Sequence, residues 1–285
     1  MKKVLVTGAT GFIGSYVVEE LVCRGYEVIA TSVNAEKAKA YSWFEKVRYI
    51  GFDLNSFDNN VDYFNFFGQP EVLIHLAWQG LPNYTEEFHI TKNLPRHTAF
   101  IGSMIRNGLT DLTVAGTCLE YGMQEGCLHE GLNVSPTLPY AIAKNELRKN
   151  IIEMYEAQKI SFKWVRLFYT YGRGQSPKSL ISQLDEAIAK KEVVFNMSGG
   201  EQTRDFLPVS LMAKNIVSIA SQQSVDGIVN CCSGDPVKIK DFIRQYLAQK
   251  NEHIELNLGY YEYPTYEPMR FWGDTSKLKS ITENE

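Results

Sequence analysis

Long apolar runs are missing from this chain. No uninterrupted hydrophobic stretch in its 285 residues approaches the roughly 18 that a bilayer-spanning helix requires. No polybasic or amphipathic stretch suited to a membrane surface takes its place. The opening residues, MKKVLVTG, run straight into a strand pattern and lack the apolar segment and cleavage site of a secretory leader. Basic charge is also short, with 29 Lys and Arg against 33 Asp and Glu and a formal net charge of −4. That balance gives no positive field of the kind nucleic acid demands. Cysteine is scarce and odd in number: Cys23, Cys118, Cys127, Cys231 and Cys232 fit neither a disulfide framework nor a zinc site. Free thiols suit a reducing compartment. His89, His97, His129 and His253 have no metal-like spacing, and His75, in a buried strand pattern, reads as a core histidine rather than a ligand. The expectation is a cytoplasmic protein with no metal, no membrane and no nucleic-acid partner.

What is present is an alternation. Short Val/Ile-rich runs at Lys3–Thr7, Glu27–Thr31, Val47–Phe52, Glu71–Leu76, Leu112–Ala115 and Phe162–Phe168 are separated by stretches of helical period. Helical patterns cover Gly11–Arg24, closed by Gly25, then Glu86–Arg106 and Tyr140–Gln158. Such alternation implies an α/β fold, a Rossmann-type doubly wound parallel sheet covered on both faces. Beyond Tyr171 the rhythm changes, with helices expected near 177–190, 208–222 and 238–249 and a strand near 228–231. The expected division is a dinucleotide-binding domain over 1–170 and a smaller C-terminal α/β lobe over 171–285. Part of 205–235 is expected to return to the first domain. Adjacent Cys231 and Cys232 are expected to face opposite sides of a strand end.

Gly8-Ala9-Thr10-Gly11-Phe12-Ile13-Gly14 joins the first strand to the first helix. Glycines there allow a tight turn that brings backbone N–H groups against a pyrophosphate at the positive end of a helix. The spacing is Gly-x-x-Gly-x-x-Gly rather than Gly-x-Gly-x-x-Gly, so its placement between strand and helix carries the weight. At the end of the second strand an Asp or Glu would hold a ribose 2′-hydroxyl and favour NAD. Here the stretch reads Ala30-Thr31-Ser32-Val33-Asn34 with Lys37 and Lys39 following. No carboxylate repels a 2′-phosphate, and Thr31, Ser32 and a lysine could bind one. NADP(H) is expected over NAD(H).

Tyr140 and Lys144 open a helical pattern just after Pro139, and a spacing of i, i+4 places both on one face. A free phenol titrates near pH 10, and a neighbouring ammonium favours its ionised form. The sequence thus predicts that Lys144 lowers the Tyr140 phenol toward neutrality.

With these motifs in place, the chain resembles the extended short-chain dehydrogenases of the epimerase/dehydratase type that act on nucleotide-activated sugars. The likeness runs through residues 4–14, Phe52-Asp53-Leu54, Ile74-His75-Leu76-Ala77, Ala115–Gly122, Tyr140/Lys144, Arg166–Gly172, Gly199–Phe206 and Gly273–Lys277. It implies that Thr117 completes a triad with Tyr140 and Lys144 by hydrogen-bonding the substrate oxygen. It implies too that Asp53 and Leu54 line an adenine, and that Leu76 and Ala77, with Leu167, wall the cofactor. Arg204 would grip a substrate diphosphate, or else pair with an acid; Arg270 is a weaker candidate. Trp78, Cys118, Glu120 and Tyr169 are candidate sugar contacts, with pure packing open for Trp78, Cys118 and Glu120. Relatives also form homodimers through the two long helices.

Within that family the 4,6-dehydratases carry an Asp-Glu pair directly after the triad hydroxyl, where this chain has Cys118 and Leu119. The 4-epimerases hold NAD with an Asp where Ser32 stands, and commonly have Asn where Tyr169 stands. The Gly-Thr-Cys-x-Glu-Tyr-Gly stretch resembles the subgroup that reduces 4-keto-6-deoxy sugars on a nucleoside diphosphate. The resemblance therefore implies an NADPH-dependent 4-ketone reductase. A 4-epimerase with tightly bound NAD and a catalytically silent cofactor-binding regulator are the alternatives.

Overall fold

A computed structural model describes residues 2–283. Seven parallel strands form the main sheet: β1 (Lys3–Thr7), β2 (Glu27–Ser32), β3 (Arg48–Gly51), β4 (Val72–His75), β5 (Asp111–Thr117), β6 (Ser161–Leu167) and β7 (Gly227–Cys231). Their order is β7-β6-β5-β4-β1-β2-β3, so the direction of winding reverses between β1 and β4. An open sheet of this kind places its ligands in the crevice at the carboxyl ends of the strands beside that reversal.

Period-2 alternation explains why the sheet is covered twice. Val4 and Val6 of β1 enter one core cluster with Val28, Ala30, Ile74 and Val165. Leu5 enters the other with Ile29, Leu73 and Trp164. The first cluster is closed by α1 (Phe12–Cys23) and by the helix Val209–Ser221, the second by α2 (Leu94–Arg106) and α3 (Pro139–Gln158). Each fully buried aliphatic side chain contributes on the order of 1.5–3 kcal/mol. Cys231 packs in the first cluster, while Cys232 joins Cys118, Tyr121, Leu128, Phe168 and Phe271 in a separate one.

Beyond β6 a short strand, Tyr169–Tyr171, pairs parallel with Thr203–Pro208, which pairs antiparallel with Pro236–Lys238. The helices Leu180–Ala189 and Ile239–Lys250 share a third cluster with Phe195, Met197 and Ile254. Between these segments, β7 returns to the main sheet beside β6.

Two of the expected elements take a different form in the structure. The helical run expected from Glu86 begins as a π-helical turn at His89–Asn93 before α2. Pro95, near the α2 N-terminus, has no amide to donate four residues back, and the turn widens. The β5 strand also runs on past Ala115, because Gly116 and Thr117 pair with Arg166 and Leu167. Among the described residues, no helix is long and apolar enough to cross a membrane.

Candidate active site

The glycine turn is shaped by close approach. Gly8 has φ +71°, and a Cβ there would lie 2.8 Å from the Ala77 nitrogen. A Cβ on Gly14 would lie 2.1 Å from the Gly8 carbonyl oxygen, so only glycine lets α1 start this close to β1. Gly11 caps α1 without a side-chain hydrogen bond, and no acidic residue occupies the first turn. The uncapped N–H groups and the positive helix end therefore fit an anion such as a dinucleotide pyrophosphate. Thr10 is buried and its carbonyl accepts from the Tyr41 hydroxyl at 3.2 Å, while Phe12 and Ile13 are half-buried.

At the end of β2, Thr31 is buried with its hydroxyl oxygen unpaired. The Ser32 hydroxyl lies 2.9 Å from the Tyr49 hydroxyl, which itself donates to the Ser32 carbonyl. Lys39 pairs with Glu36 at 2.8 Å and Lys37 is exposed. Asp53 accepts from the Asn55 backbone at 2.9 Å and from the Gln79 amide at 3.2 Å. Leu54 is buried in the second core cluster. Leu76 and Ala77 follow β4, half-buried, with the Ala77 N–H on the Thr7 hydroxyl at 3.3 Å. Leu167 ends β6, half-buried against the first cluster.

Thr117, Tyr140 and Lys144 converge at the ends of β5 and α3. Thr117 ends β5 and starts a capping box: its hydroxyl accepts from the Leu119 N–H at 3.3 Å, and Glu120 accepts from the Thr117 N–H at 2.9 Å. Tyr140 is 7% exposed, and Thr117 is the neighbour that favours its ionised form. Lys144, 2% exposed, donates to the Ala115 carbonyl at 2.8 Å, and its ammonium lies 4.0 Å from the centre of the Trp78 ring.

The electrostatics correct the sequence reading. Burial pushes the Tyr140 phenol well above its ordinary value, and Tyr84, Glu120 and Cys118 push the same way, against Thr117. Burial also lowers Lys144 to about 7, partly opposed by Glu120. The ammonium is directed to a carbonyl and an indole face rather than to the phenol. Desolvation outweighs the i, i+4 partner in the protein without cofactor.

Glu120 is fully buried. It accepts from the Trp164 indole N–H at 2.9 and 3.1 Å and from Arg166 Nε at 2.9 Å, besides Thr117. Its carboxylate is engaged beneath Thr117, where it holds that turn. A Cβ on Gly116 would lie 2.3 Å from the Trp164 indole nitrogen, which is why glycine precedes Thr117. Cys118 is buried and its thiol is raised by burial first and by Glu267 second.

Arg204 is 1% exposed, donates to Glu267 at 2.8 Å and to the Thr203 carbonyl at 2.9 Å, and lies 4.7 Å from the Phe271 ring centre. Its Nε is buried without a hydrogen-bond partner. Tyr169 lies beneath the same guanidinium at 5.6 Å. Arg270 is exposed and stacks over Trp272 at 5.1 Å, whereas Arg204 is buried against Phe271. Sequence reasoning did not find Glu267, Tyr84, Asn93 or the involvement of His89 and His97. Tyr84, His89, Asn93 and His97 lie close together in the chain but Glu267 lies far from them, and no motif marks any of the five.

A family model described as "NAD dependent epimerase/dehydratase family" matches residues 4–232. The chain belongs to that family. It is therefore an NAD(P)-dependent oxidoreductase by lineage, with the parallel sheet its relatives share. It is 30% identical over 95% of its length to a dTDP-6-deoxy-L-talose 4-dehydrogenase (NAD(+)) of Aggregatibacter actinomycetemcomitans, covering 98% of that protein. It is 24% identical to a dTDP-6-deoxy-L-talose 4-dehydrogenase (NAD(P)(+)) of Kitasatospora kifunensis, covering 89% of this chain and 81% of the other. Among solved structures, MoeE5 in complex with UDP-glucuronic acid and NAD superposes with a TM-score of 0.82 at 24% identity, over 99% of this chain and 92% of that one.

Proposed function

We propose that this protein reduces the 4-keto group of a nucleoside-diphosphate 4-keto-6-deoxy sugar, with NADPH as the preferred reductant. The observation that carries the reading is a buried phenol at the convergence of Thr117, Tyr140 and Lys144, held by burial above its ordinary value so that it keeps its proton through the neutral range. When bound, the reduced nicotinamide supplies a hydride to C4. Tyr140 gives its proton to O4 as the alkoxide develops, and Thr117 holds that oxygen in place. The balance is ketone plus hydride plus proton to alcohol, with solvent restoring the phenol. A phenol pushed upward is a poor base and stays protonated until an alkoxide, more basic still, develops beside it, which suits the reductive direction.

The carboxylates near the site support reduction over dehydration. Glu120 is engaged with Trp164, Arg166 and Thr117, and Glu267 is ion-paired with Arg204. Neither is placed as a free acid–base beside Thr117. The names of the two relatives point to chemistry at C4 of a dTDP-6-deoxy sugar. For NADPH the support is the absence of a carboxylate on Thr31, Ser32 and Val33, although those names span NAD(+) and NAD(P)(+). The diphosphate is held at Arg204, whose unpaired Nε offers a donor, and the sugar lies between Trp78, Cys118 and Tyr169 of the 1–170 domain, facing a lobe built from residues 171–285 of which part of 205–235 returns to the sheet. The protein works in the cytoplasm as a homodimer through α2 and α3.

The test is absorbance at 340 nm with NADPH and a panel of dTDP-, CDP-, GDP- and UDP-4-keto-6-deoxy sugars. Oxidation of NADPH with at least one of them is expected. No turnover across the panel sinks the reading. Stoichiometric NAD retained on the purified protein, with epimerisation of a nucleotide sugar, would put a 4-epimerase in its place. Unchanged biological activity in Tyr140→Phe would instead mark a silent regulator.

A further inference from the structure

Trp78 is held in place from three sides. Its indole N–H donates to His89 Nδ1 at 3.0 Å, and His89 Nε2 lies 2.9 Å from the Asn83 carbonyl. Its ring stacks on His97 with centres 4.5 Å apart and planes 25° apart. His97 is fixed in turn by His75, 2.7 Å away, which bonds Thr7 at 2.9 Å. The loop behind the ring is tied down by Asn93, which donates to the Gln79 carbonyl at 3.0 Å from the π-helical turn. One face of the indole carries the Lys144 ammonium at 4.0 Å, and Tyr140 meets the ring edge-to-face at 6.0 Å. Nothing about packing alone requires a buried ammonium to lie against an indole.

We infer that Trp78 is a positioning residue that keeps Lys144 charged and aimed at the nicotinamide ribose, with the His75–His97 pair and His89 as its clamp. This rests on the proposed function, in which Lys144 holds the nicotinamide ribose of the bound reductant. An indole face attracts a desolvated ammonium most strongly among the aromatic side chains. Lys144 stands near neutrality because burial lowers it, so a modest attraction decides how much of it is charged. The other groups facing it leave the reading clean. His75 is lowered to about 3 and His89 and His97 are lowered too, all by burial first, so they stay neutral as pH rises. Tyr140 on the same helix is raised, and Glu120 beneath the site favours the ammonium.

The sign follows directly. The indole stabilises the protonated amine, so removing it lowers the amine's pKa and moves any limb that requires the ammonium to lower pH. Calorimetric Kd values for NADPH, measured from pH 6 to 10, read this without any sugar. In Trp78→Leu the limb of weakening affinity is expected to move down by roughly half to one and a half pH units, which is about a 3- to 30-fold weaker Kd on the alkaline side. Trp78→Phe is expected to recover most of it. Tryptophan fluorinated at position 78 keeps shape and N–H but strips the ring face of charge, and is expected to shift the limb as Leu does even if the Leu variant folds poorly. A limb that stays put in the fluorinated protein, or a loss of affinity equal at every pH, overturns the inference. Failure of 4-keto-sugar turnover with an intact limb shift would sink the proposed reaction and leave the role of Trp78 standing.

Discussion

Replacing Glu120 tests whether that carboxylate belongs to the scaffold or to the substrate. Its side chain is fully buried and ion-paired with Arg166 at 2.9 Å, the two being 0% and 1% exposed. Removing one member of a buried pair leaves the other charge uncompensated, at a cost of about 3–5 kcal/mol. Arg166 already has one Nη without a hydrogen-bond partner, so it has little capacity to find another. At this chain length each kcal/mol shifts Tm by about 2 °C, so Glu120→Ala is expected to melt about 6–10 °C early. Turnover is expected to fall because the Thr117 N–H loses its acceptor, while KM for the nucleotide sugar stays within a few-fold. A double variant, Glu120→Gln with Arg166→Met, removes both charges and is expected to recover much of the Tm by differential scanning calorimetry. A Glu120→Ala protein with unchanged Tm and a KM raised tenfold or more would refute the reasoning and return Glu120 to the sugar.

Three further outcomes follow from the same coordinates. Lys144 falls from 10.5 to about 7 on folding, so between those values the unfolded chain holds more protons than the folded one and stability rises with pH. Against Lys144→Met, the wild type is expected to gain up to about 2.5 kcal/mol between pH 7 and 9 in urea unfolding; parallel curves would contradict the burial of that amine. Ser32→Asp sets a carboxylate about 5 Å from a 2′-phosphate, a repulsion of about 3 kcal/mol at an effective dielectric of about 20, and is expected to shift kcat/KM about a hundredfold toward NADH. Gly14→Ala drives a methyl to 2.1 Å from the Gly8 carbonyl oxygen, and more than tenfold weaker dinucleotide binding by calorimetry is expected.

The parts of the fold legible in the sequence are those where local pattern and tertiary structure agree. Strand β1 shows its two-sided burial as an unbroken apolar run, and the glycine turn after it has the spacing that close backbone approach demands. Thr117, Tyr140 and Lys144 came from motif and resemblance, and the fold brings them together. Their electrostatics did not follow, because burial depends on residues such as Tyr84 and Trp78 that no local spacing connects to Tyr140. Arg204, and more weakly Arg270, read as phosphate contacts in the sequence; the structure turns one toward Glu267 and the other toward Trp272. Glu267 itself lies in an irregular segment, where nothing periodic marks a side chain as inward-facing.

The central claim is a transfer of hydride to C4 with the Tyr140 proton following to O4. Single-turnover incubation of the enzyme with NADPH carrying deuterium at the nicotinamide C4, and the best 4-keto-6-deoxy nucleotide sugar from the panel, tests it by NMR of the product. One deuterium on sugar C4 is predicted, with the rate in Tyr140→Phe reduced about 100- to 10,000-fold while NADPH still binds. Product without deuterium at C4, or a Tyr140→Phe enzyme that transfers it at the wild-type rate, would contradict the account.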